Sequence, residues 1–117
     1  MASTKAERMA ILRGHVYWVD LEPTAGSQQR GRRPCLVLTV DEINATRRTV
    51  GVVPLSSSPR SAAPIVVSVR SLGETSVAIC DQLRAVDKRK IERSLGAITD
   101  AELALIEESV KAVFGLV

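Results

Sequence analysis

The chain has 117 residues, 45% of them hydrophobic and 25% charged, which suits one compact globular domain. No apolar run reaches the roughly 18 residues of a membrane span. The net charge is only +3, but basic residues cluster apart from the acidic ones, so one face can attract a polyanion. Residues 1–12 lack an apolar signal core. We therefore expect a flexible N-terminal segment, then a single domain over 13–117, in a cytoplasmic protein.

The first part of the chain predicts a β structure. Short β-branched and apolar runs predict strands at 15–21, 34–40, 49–55, 64–70 and 76–86, the last bent in its middle, with polar loops at 41–48 and 56–63. Because nothing helical separates these strands, parallel pairing is disfavoured. The expected fold is mainly β with a C-terminal helix, built as a small, strongly bent antiparallel sheet or partly open barrel.

Two helices are predicted after the strands. Asp87 can cap a short basic helix, KRKIERS at 88–94, which Gly96 would end. Thr99 and Glu102 fit a capping box for a second helix. The apolar face of that helix must pack on the strands or on a partner. This face carries Leu103, Ile106, Val110 and Val113.

The segment GSQQRGRRP, residues 26–34, combines the groups that a phosphate-binding loop uses. Glycines permit close backbone approach, serine and glutamine exchange hydrogen bonds, and arginines offer planar forks to phosphate oxygens. Pro34 restricts Arg33 to extended backbone, so Arg33 should lie at the mouth of a strand. The segment lacks the GxxxxGK[ST] pattern of a Walker loop. An exposed, solvated loop is the alternative.

Other polar and ionisable residues leave two interpretations open. Ser56 begins a run of serines after the third strand, which is either turn chemistry or part of a site. In CDQLRAVD, residues 80–87, the polar side chains form either a satisfied structural network or part of a site. Cys35 and Cys80 lie in apolar runs, and with His15 as the only histidine they make no metal motif. We expect both cysteines to be reduced thiols packed in the core.

The stretch RGHVYWVDLEPTAGSQQRGRRPCLVLT, residues 13–39, resembles the opening of the MazF/PemK toxins of bacterial type II toxin–antitoxin systems. The shared elements are RG at 13–14, D-L-x-P-T-x-G-S-x-Q at 20–29 and G-x-R-P at 31–34. The resemblance continues through VVPLSSS at 52–58, CDQLRAVDKRKI at 80–91 and the last helix. It covers nearly the whole chain from Arg13 onward.

The resemblance implies an SH3-like barrel of the MazF/CcdB type that acts as a homodimer. It implies a sequence-specific endoribonuclease that needs no metal or cofactor and cuts single-stranded RNA, often mRNA. The products would be a 2′,3′-cyclic phosphate and a 5′-OH, and the cuts would inhibit translation and growth. The implied partner is a cognate MazE-like antitoxin whose acidic, disordered tail occupies the RNA-binding surface.

The resemblance also assigns roles to residues. Arg33 matches the central catalytic arginine, and Ser56 stands where the family more often has threonine. Gln28 replaces the glutamate that usually follows the family's Gly-Ser pair, so the group that takes the 2′-OH proton is left open. The residues expected to contact RNA are Ser27, Gln28, Gln29, Arg30, Arg32, Arg60, Asp81, Gln82 and Arg84. Further candidates for backbone contacts are Arg47 and the basic run at 88–93.

The orientation of two aromatic side chains is left open. Tyr17 and Trp18 alternate on a strand, so one should face inward, and for Trp18 core or dimer packing is favoured over base stacking.

Two rival functions are also left open. One rival function is a CcdB-like toxin that poisons gyrase through protein contacts. The other is a MazF-like relic that binds nucleic acid without cutting it, which Gln28 keeps open. RNA cleavage would separate the nuclease from both.

Overall fold

A computed structural model of the chain describes residues 10–21, 31–57, 65–73 and 75–116. The strands in these residues are β1 (His15–Asp20), β2 (Arg32–Val37), β3 (Thr49–Ser56), β4 (Val66–Val69), β5 (Ser76–Ile79), β6 (Arg84–Asp87) and β7 (Ile91–Ala97). The α-helices are α1 (Asp41–Thr46) and α2 (Asp100–Phe114), and single 3₁₀ turns span Cys80–Gln82 and Lys88–Lys90.

The seven described strands form one sheet in the order β4-β5-β3-β2-β1-β7, with β6 also paired to β3. Every pairing is antiparallel. β5 and β6 pair with successive parts of β3, so the predicted bent strand at 76–86 is two strands joined by a 3₁₀ turn. Among the described strands, the pairing does not close into a ring. The predicted fold class, an antiparallel, partly open β structure with a C-terminal helix, is confirmed.

The sheet buries apolar side chains on both of its faces. Consecutive side chains of a strand point to opposite faces, so Val16 and Tyr17 enter different cores. The first core contains Ile11, Tyr17, Val19, Leu21, Cys35, Val37, Val50, Val52, Val86 and Ile91. The second core contains Val16, Leu36, Val53, Leu55, Val67, Val69, Ala78, Cys80, Ile98, Ile106 and Val110, and α2 covers it. Burial on both faces explains why the central strands are almost continuously apolar.

Helix α2 begins at the predicted capping box and ends at a glycine. The Thr99 hydroxyl accepts from the Glu102 N–H at 3.1 Å, and the Glu102 carboxylate accepts from the Thr99 N–H at 3.0 Å. The predicted capping box is therefore confirmed. Gly115 ends the helix in the left-handed region, at φ 67°. Ile106 and Val110 are buried on the sheet, as predicted, while Leu103 and Val113 are half-buried.

The predicted loop at 41–48 is wrong, because residues Asp41–Thr46 form the short helix α1. Acidic residues occupy the first turn of α1, where the helix dipole favours them. Asn44 is buried, and its amide donates to the Thr39 carbonyl at 2.8 Å. This hydrogen bond to a residue just before the helix, together with the burial of Asn44, holds the helix in place, and the polar sequence alone did not reveal it.

The predicted start of the second strand at Pro34 is also wrong. β2 begins at Arg32 and ends at Val37, because its register pairs Arg32 with Asp20 of β1. Arg32 and Arg33 of the predicted phosphate-binding segment are therefore the first two residues of a strand, which fixes the directions of their side chains.

The predicted basic helix at 88–94 is wrong as well. Only a 3₁₀ turn forms at Lys88–Lys90, and Asp87 caps it by accepting from the Arg89 N–H at 2.8 Å. The chain then continues as β7, which pairs with β1 over most of its length. Gly96 lies within β7 at φ 111° and does not end a helix. The hydrogen bonds to β1 and the burial of Ile91 outweigh the local preference for helix.

Glu102 joins the start of α2 to the turn after β4. Its carboxylate accepts from the Arg70 N–H at 2.8 Å and from the Ser71 hydroxyl, besides the bond from Thr99. Partial burial opposes ionisation of Glu102, but the hydrogen bonds from Ser71, Arg70 and Thr99 outweigh it and lower the pKa from 4.5 to about 2. The ionised carboxylate is therefore stabilised in the folded state.

We expect the stability of the protein to fall as the pH drops from about 4.5 toward 2, partly through Glu102. Because the folded pKa is depressed, the stabilisation is complete above the unfolded pKa and is lost as Glu102 takes up a proton. Glu102→Gln should flatten this part of the curve and lower the free energy of unfolding by about 0.5–2 kcal/mol at neutral pH. Urea unfolding at a series of pH values measures both effects. Glu108→Gln, an exposed carboxylate of the same helix, is the control, and equal curves for the two variants would contradict the assignment.

Candidate functional site

A cleft of about 500 Å³ opens where β1, β2, β3 and β7 meet the turn before β5. Its lining consists of Val16, Trp18, Arg32, Arg33, Pro34, Leu55, Ser56, Ser57, Leu72, Ser76, Arg93 and Leu95. Buried Val16 and Leu55 form an apolar floor, and exposed Arg32 and Arg93 lie at the rim. An apolar floor with basic and hydroxyl groups around it suits a ligand that has both flat apolar parts and negative charge.

The pairing of β2 with β3 brings Arg33 and Ser56 to the same cleft. The last pair in this ladder is Cys35 with Pro54. Continued by two residues, the same register sets Arg33 opposite Ser56, at the point where the two strands part. Arg33 is half-buried and Ser56 is 9% exposed, so both side chains are held by the sheet rather than by a solvated loop. The two groups therefore lie on neighbouring strands of the sheet, which fix their positions relative to each other.

Arg84, another predicted RNA-binding residue, does not line the cleft, but its charge acts on a thiol that Arg33 also affects. Burial raises the pKa of the Cys35 thiol to about 12, and the positive charges of Arg84 and Arg33 act on the same thiol to lower it. Arg84 belongs to β6, on the far side of β3, and faces Val52 in the register. The charges of both arginines therefore reach the same buried thiol.

Neither cysteine has the character of a nucleophile. Burial raises the pKa of the Cys35 thiol to about 12 and that of the Cys80 thiol to about 11. Both thiols are free, buried and protonated at neutral pH, as predicted for core thiols. In the described part of the chain, no three His, Cys, Asp or Glu side chains gather in a group that could hold a metal ion.

Arg32 differs from Arg33 in its partner. The Arg32 guanidinium forms an ion pair with Glu92 of β7, with 2.8 Å between Nε and Oε2. The hydrogen bond to Glu92, the charge of Glu92 and the charge of Asp20 raise the pKa of Arg32. Because Arg32 is exposed, this pair is screened by water and can open to a phosphate at low cost.

Several predicted RNA-binding residues lie away from the cleft or outside the description. Asp81 and Gln82 form the 3₁₀ turn between β5 and β6, which packs against α2, and neither lines the cleft. Arg47 is exposed directly after α1. Of the basic run at 88–93, Arg93 lines the cleft. The predicted residues outside the described ranges are Ser27, Gln28, Gln29, Arg30 and Arg60.

The sequence did not point to Trp18 and Arg93 as a pair. Tyr17 is the inward residue, and its hydroxyl donates to the Ala10 carbonyl at 3.2 Å. Trp18 is half-buried in the cleft, and the guanidinium carbon of Arg93 lies 5.7 Å from its ring centroid. In the predicted helix at 88–94, Arg93 would not have been a neighbour of Trp18. The one sequence signal that Trp18 points away from the core was the alternation of inward and outward side chains along β1.

The fold and the cleft together define a small antiparallel β protein with a basic groove. Residues 12–114 match the PemK-like, MazF-like toxins of type II toxin–antitoxin systems, and the chain belongs to this family. This confirms the resemblance seen in the sequence. In the described residues, no helix is long and apolar enough to cross a membrane.

Three similar proteins extend this finding. The chain is 32% identical to the endoribonuclease MazF9 of Mycobacterium tuberculosis over 108 residues, which cover 85% of this chain and 92% of that protein. The structure matches MazF of Deinococcus radiodurans with a TM-score of 0.83 at 28% identity, over 92% of this chain and 99% of that one. It also matches a mycobacterial endoribonuclease solved in complex with its cognate antitoxin, with a TM-score of 0.79 at 27% identity, over 92% and 98% of the two chains.

Proposed function

We propose that this chain is a toxin that cuts single-stranded RNA at specific sequences, with mRNA as its main target. The observation that carries the proposal is the meeting of Arg33 and Ser56 in one cleft, at the point where β2 and β3 part. The similar proteins that are named endoribonucleases support it. Basic side chains around an apolar floor fit a substrate of charged phosphates and flat bases.

The proposed reaction uses the substrate's own nucleophile and needs no metal. The 2′-oxygen of a ribose attacks the neighbouring phosphorus, and the bond from phosphorus to the 5′-oxygen breaks. The 2′-hydroxyl loses its proton and the leaving 5′-oxygen gains one, so the products are a 2′,3′-cyclic phosphate and a 5′-OH. Negative charge grows on the non-bridging oxygens in the transition state, and the Arg33 guanidinium and Ser56 hydroxyl donate hydrogen bonds to them.

The proton acceptor is not Arg33, because a guanidinium stays protonated in proteins. Gln28 has no carboxylate with which to accept the proton. The site therefore relies on positioning and on charge stabilisation, and a weak base or water takes the 2′-OH proton. In this proposal, Arg30, Arg32, Arg60 and Arg84 neutralise phosphates, while Ser27, Gln28, Gln29, Asp81 and Gln82 contribute polar contacts to the RNA.

We also propose a homodimer and a cognate antitoxin as partners. A similar mycobacterial endoribonuclease has been solved with its cognate antitoxin, which supports the second. Large apolar side chains are exposed on and after α2, namely Leu105, Phe114 and Leu116, and they offer surface that a second chain can cover. Since mRNA is the proposed target, we expect the protein to act in the cytoplasm.

The test is cleavage of a long, mixed-sequence single-stranded RNA by the unmutated protein in excess EDTA. We expect discrete cuts that share a short sequence, and end mapping should find a 5′-OH on each downstream product. Cuts that require Mg²⁺, or that leave a 5′-phosphate, would contradict the proposed chemistry. A folded protein that makes no cuts would favour the nucleic-acid-binding or gyrase-binding alternatives, and binding assays with RNA and gyrase would separate these two.

A further inference from the structure

Trp18 is the only tryptophan of the chain, and it lies in an unusual setting. It is half-buried in the lining of the cleft instead of being packed in either core. Arg93 is exposed, and its guanidinium carbon lies 5.7 Å from the centroid of the Trp18 ring. A large aromatic ring kept at the edge of a cleft, with a cation above it, resembles a binding surface more than a core contact.

The strand register builds this arrangement across three strands. Trp18 of β1 faces Pro34 of β2 on one side and Arg93 of β7 on the other. All three residues line the cleft, and strands lie about 4.8 Å apart, so the row is roughly 10 Å wide. Pro34 directly follows Arg33. Consecutive side chains of a strand point to opposite faces, so what Arg33 and Pro34 share is the cleft that both line, and the row runs from Pro34 to Arg93.

The ladder between β1 and β7 is irregular on both sides of this row. Register shifts fall between Val16 and Tyr17 and between Trp18 and Val19. Such irregularities increase the local twist, redirect side chains and are frequent beside active sites. The pair of Trp18 and Arg93 therefore lies in a short stretch of the ladder between two register shifts.

A guanidinium that lies over an indole ring at the distance of a cation–π contact keeps its outer face for another planar group. Its positive charge is weakly hydrated, so stacking costs little desolvation. RNA-binding proteins stack unpaired bases on aromatic rings and on arginine planes. Arg32, by contrast, forms an ion pair with Glu92, with 2.8 Å between Nε and Oε2, so its contact is a hydrogen bond and not a cation–π contact.

We propose that Trp18 and Arg93 form a base-stacking platform, on which a base near the scissile phosphate of the RNA stacks against the Arg93 guanidinium. Arg93 makes the contact with RNA, and Trp18 is a positioning residue that holds the guanidinium over its ring. The inference rests on the proposed function, because it takes single-stranded RNA as the ligand of the cleft. It adds a contact to the bases, whereas the proposed role of the basic run was contact with phosphates.

The test compares two probes that cannot be cut. One is a short 2′-O-methyl RNA of random sequence, and the other is an abasic oligomer of the same length and charge. Arg93→Lys keeps the positive charge and loses the plane. We expect this variant to bind the random RNA about 5–150-fold more weakly, with an unchanged salt dependence, and to bind the abasic oligomer as the unmutated protein does.

Trp18 variants separate positioning from stability. Trp18→Leu should weaken binding of the random RNA as Arg93→Lys does, and combining both changes should add little, because the two residues act as one unit. Trp18→Phe keeps an aromatic face and should restore part of the affinity. Arg32→Lys is the matched control in the same cleft and should not distinguish the two probes. Thermal unfolding followed by circular dichroism identifies any variant that is merely unstable.

The outcomes separate this inference from the proposed nuclease function. Equal losses on both probes would make Arg93 a phosphate contact and overturn the platform, as would unchanged binding of the random RNA by Arg93→Lys. Cleavage of natural RNA by the unmutated protein is measured separately. If the protein cuts RNA but Arg93→Lys loses equal affinity for both probes, the nuclease proposal stands and the platform is overturned. A protein that passes the comparison but cuts no RNA keeps the platform as a binding surface.

Discussion

Arg33→Ala should lower the rate of RNA cleavage by at least about 10²–10³-fold, because it removes a fixed donor from the phosphate in the transition state. Arg33 lies on β2 and lines the same cleft as Ser56, so its guanidinium is aimed before the substrate arrives. The loss should appear mainly in kcat, since the donor acts on charge that develops during the reaction. Single-turnover cleavage of an RNA that carries the mapped cut site measures this rate.

The control for Arg33→Ala is Arg48→Ala, which makes the same change in charge. Arg48 precedes β3, and Ser56 is the last residue of that eight-residue strand. The two ends of β3 are therefore about 23 Å apart, at 3.3 Å a residue. Arg48→Ala should cut at nearly the unmutated rate. Similar losses in both variants would reduce Arg33 to one of many contributions to the overall positive charge and would contradict its catalytic role.

Ile106→Ala should lower the free energy of unfolding by about 2–5 kcal/mol, the range for emptying a fully buried aliphatic site. Ile106 is 0% exposed, at the centre of the core between α2 and the sheet. Its loss leaves a cavity in the core that also contains Leu36 and Val53, which belong to paired central strands and have little freedom to move. Urea unfolding measured at several protein concentrations gives the value and separates it from any effect of association.

Leu105→Ala is the matched control for Ile106→Ala, in the same turn of the same helix. Leu105 is 59% exposed, so its truncation should change the free energy of unfolding of the single chain by no more than about 0.5 kcal/mol. Ile106→Val should cost about 0.5–1.5 kcal/mol and keeps the series measurable if the alanine variant does not fold. Equal costs at positions 105 and 106 would contradict the packing of α2 described here.

Local sequence signals predicted the elements that depend on neighbours in the chain. Thr99 and Glu102 predicted the start of α2, because a capping box is formed by residues within one turn of the helix. The absence of helices between the early strands predicted antiparallel pairing, and the resemblance to MazF/PemK toxins identified the family. It also singled out Arg33 and Ser56, which line one cleft, although their roles stay predictions.

Contacts between distant parts of the chain decided the rest. The residues 88–94 favour a helix locally, yet Ile91–Ala97 is a strand, because β1 pairs with it on both sides of two register shifts and the first core takes up Ile91. That same pairing places Arg93 over Trp18. Because the sequence predicted a helix at 88–94, it did not reveal that Arg93 lines the cleft beside Trp18. The sequence by itself determined the fold class, the family and the start of α2, whereas helix α1, the path of β7 and the lining of the cleft were decided only in the tertiary structure. The physical reason is that strand pairing and burial are satisfied by residues far away in the sequence, and their free energy exceeds the small local preferences that a sequence pattern reports.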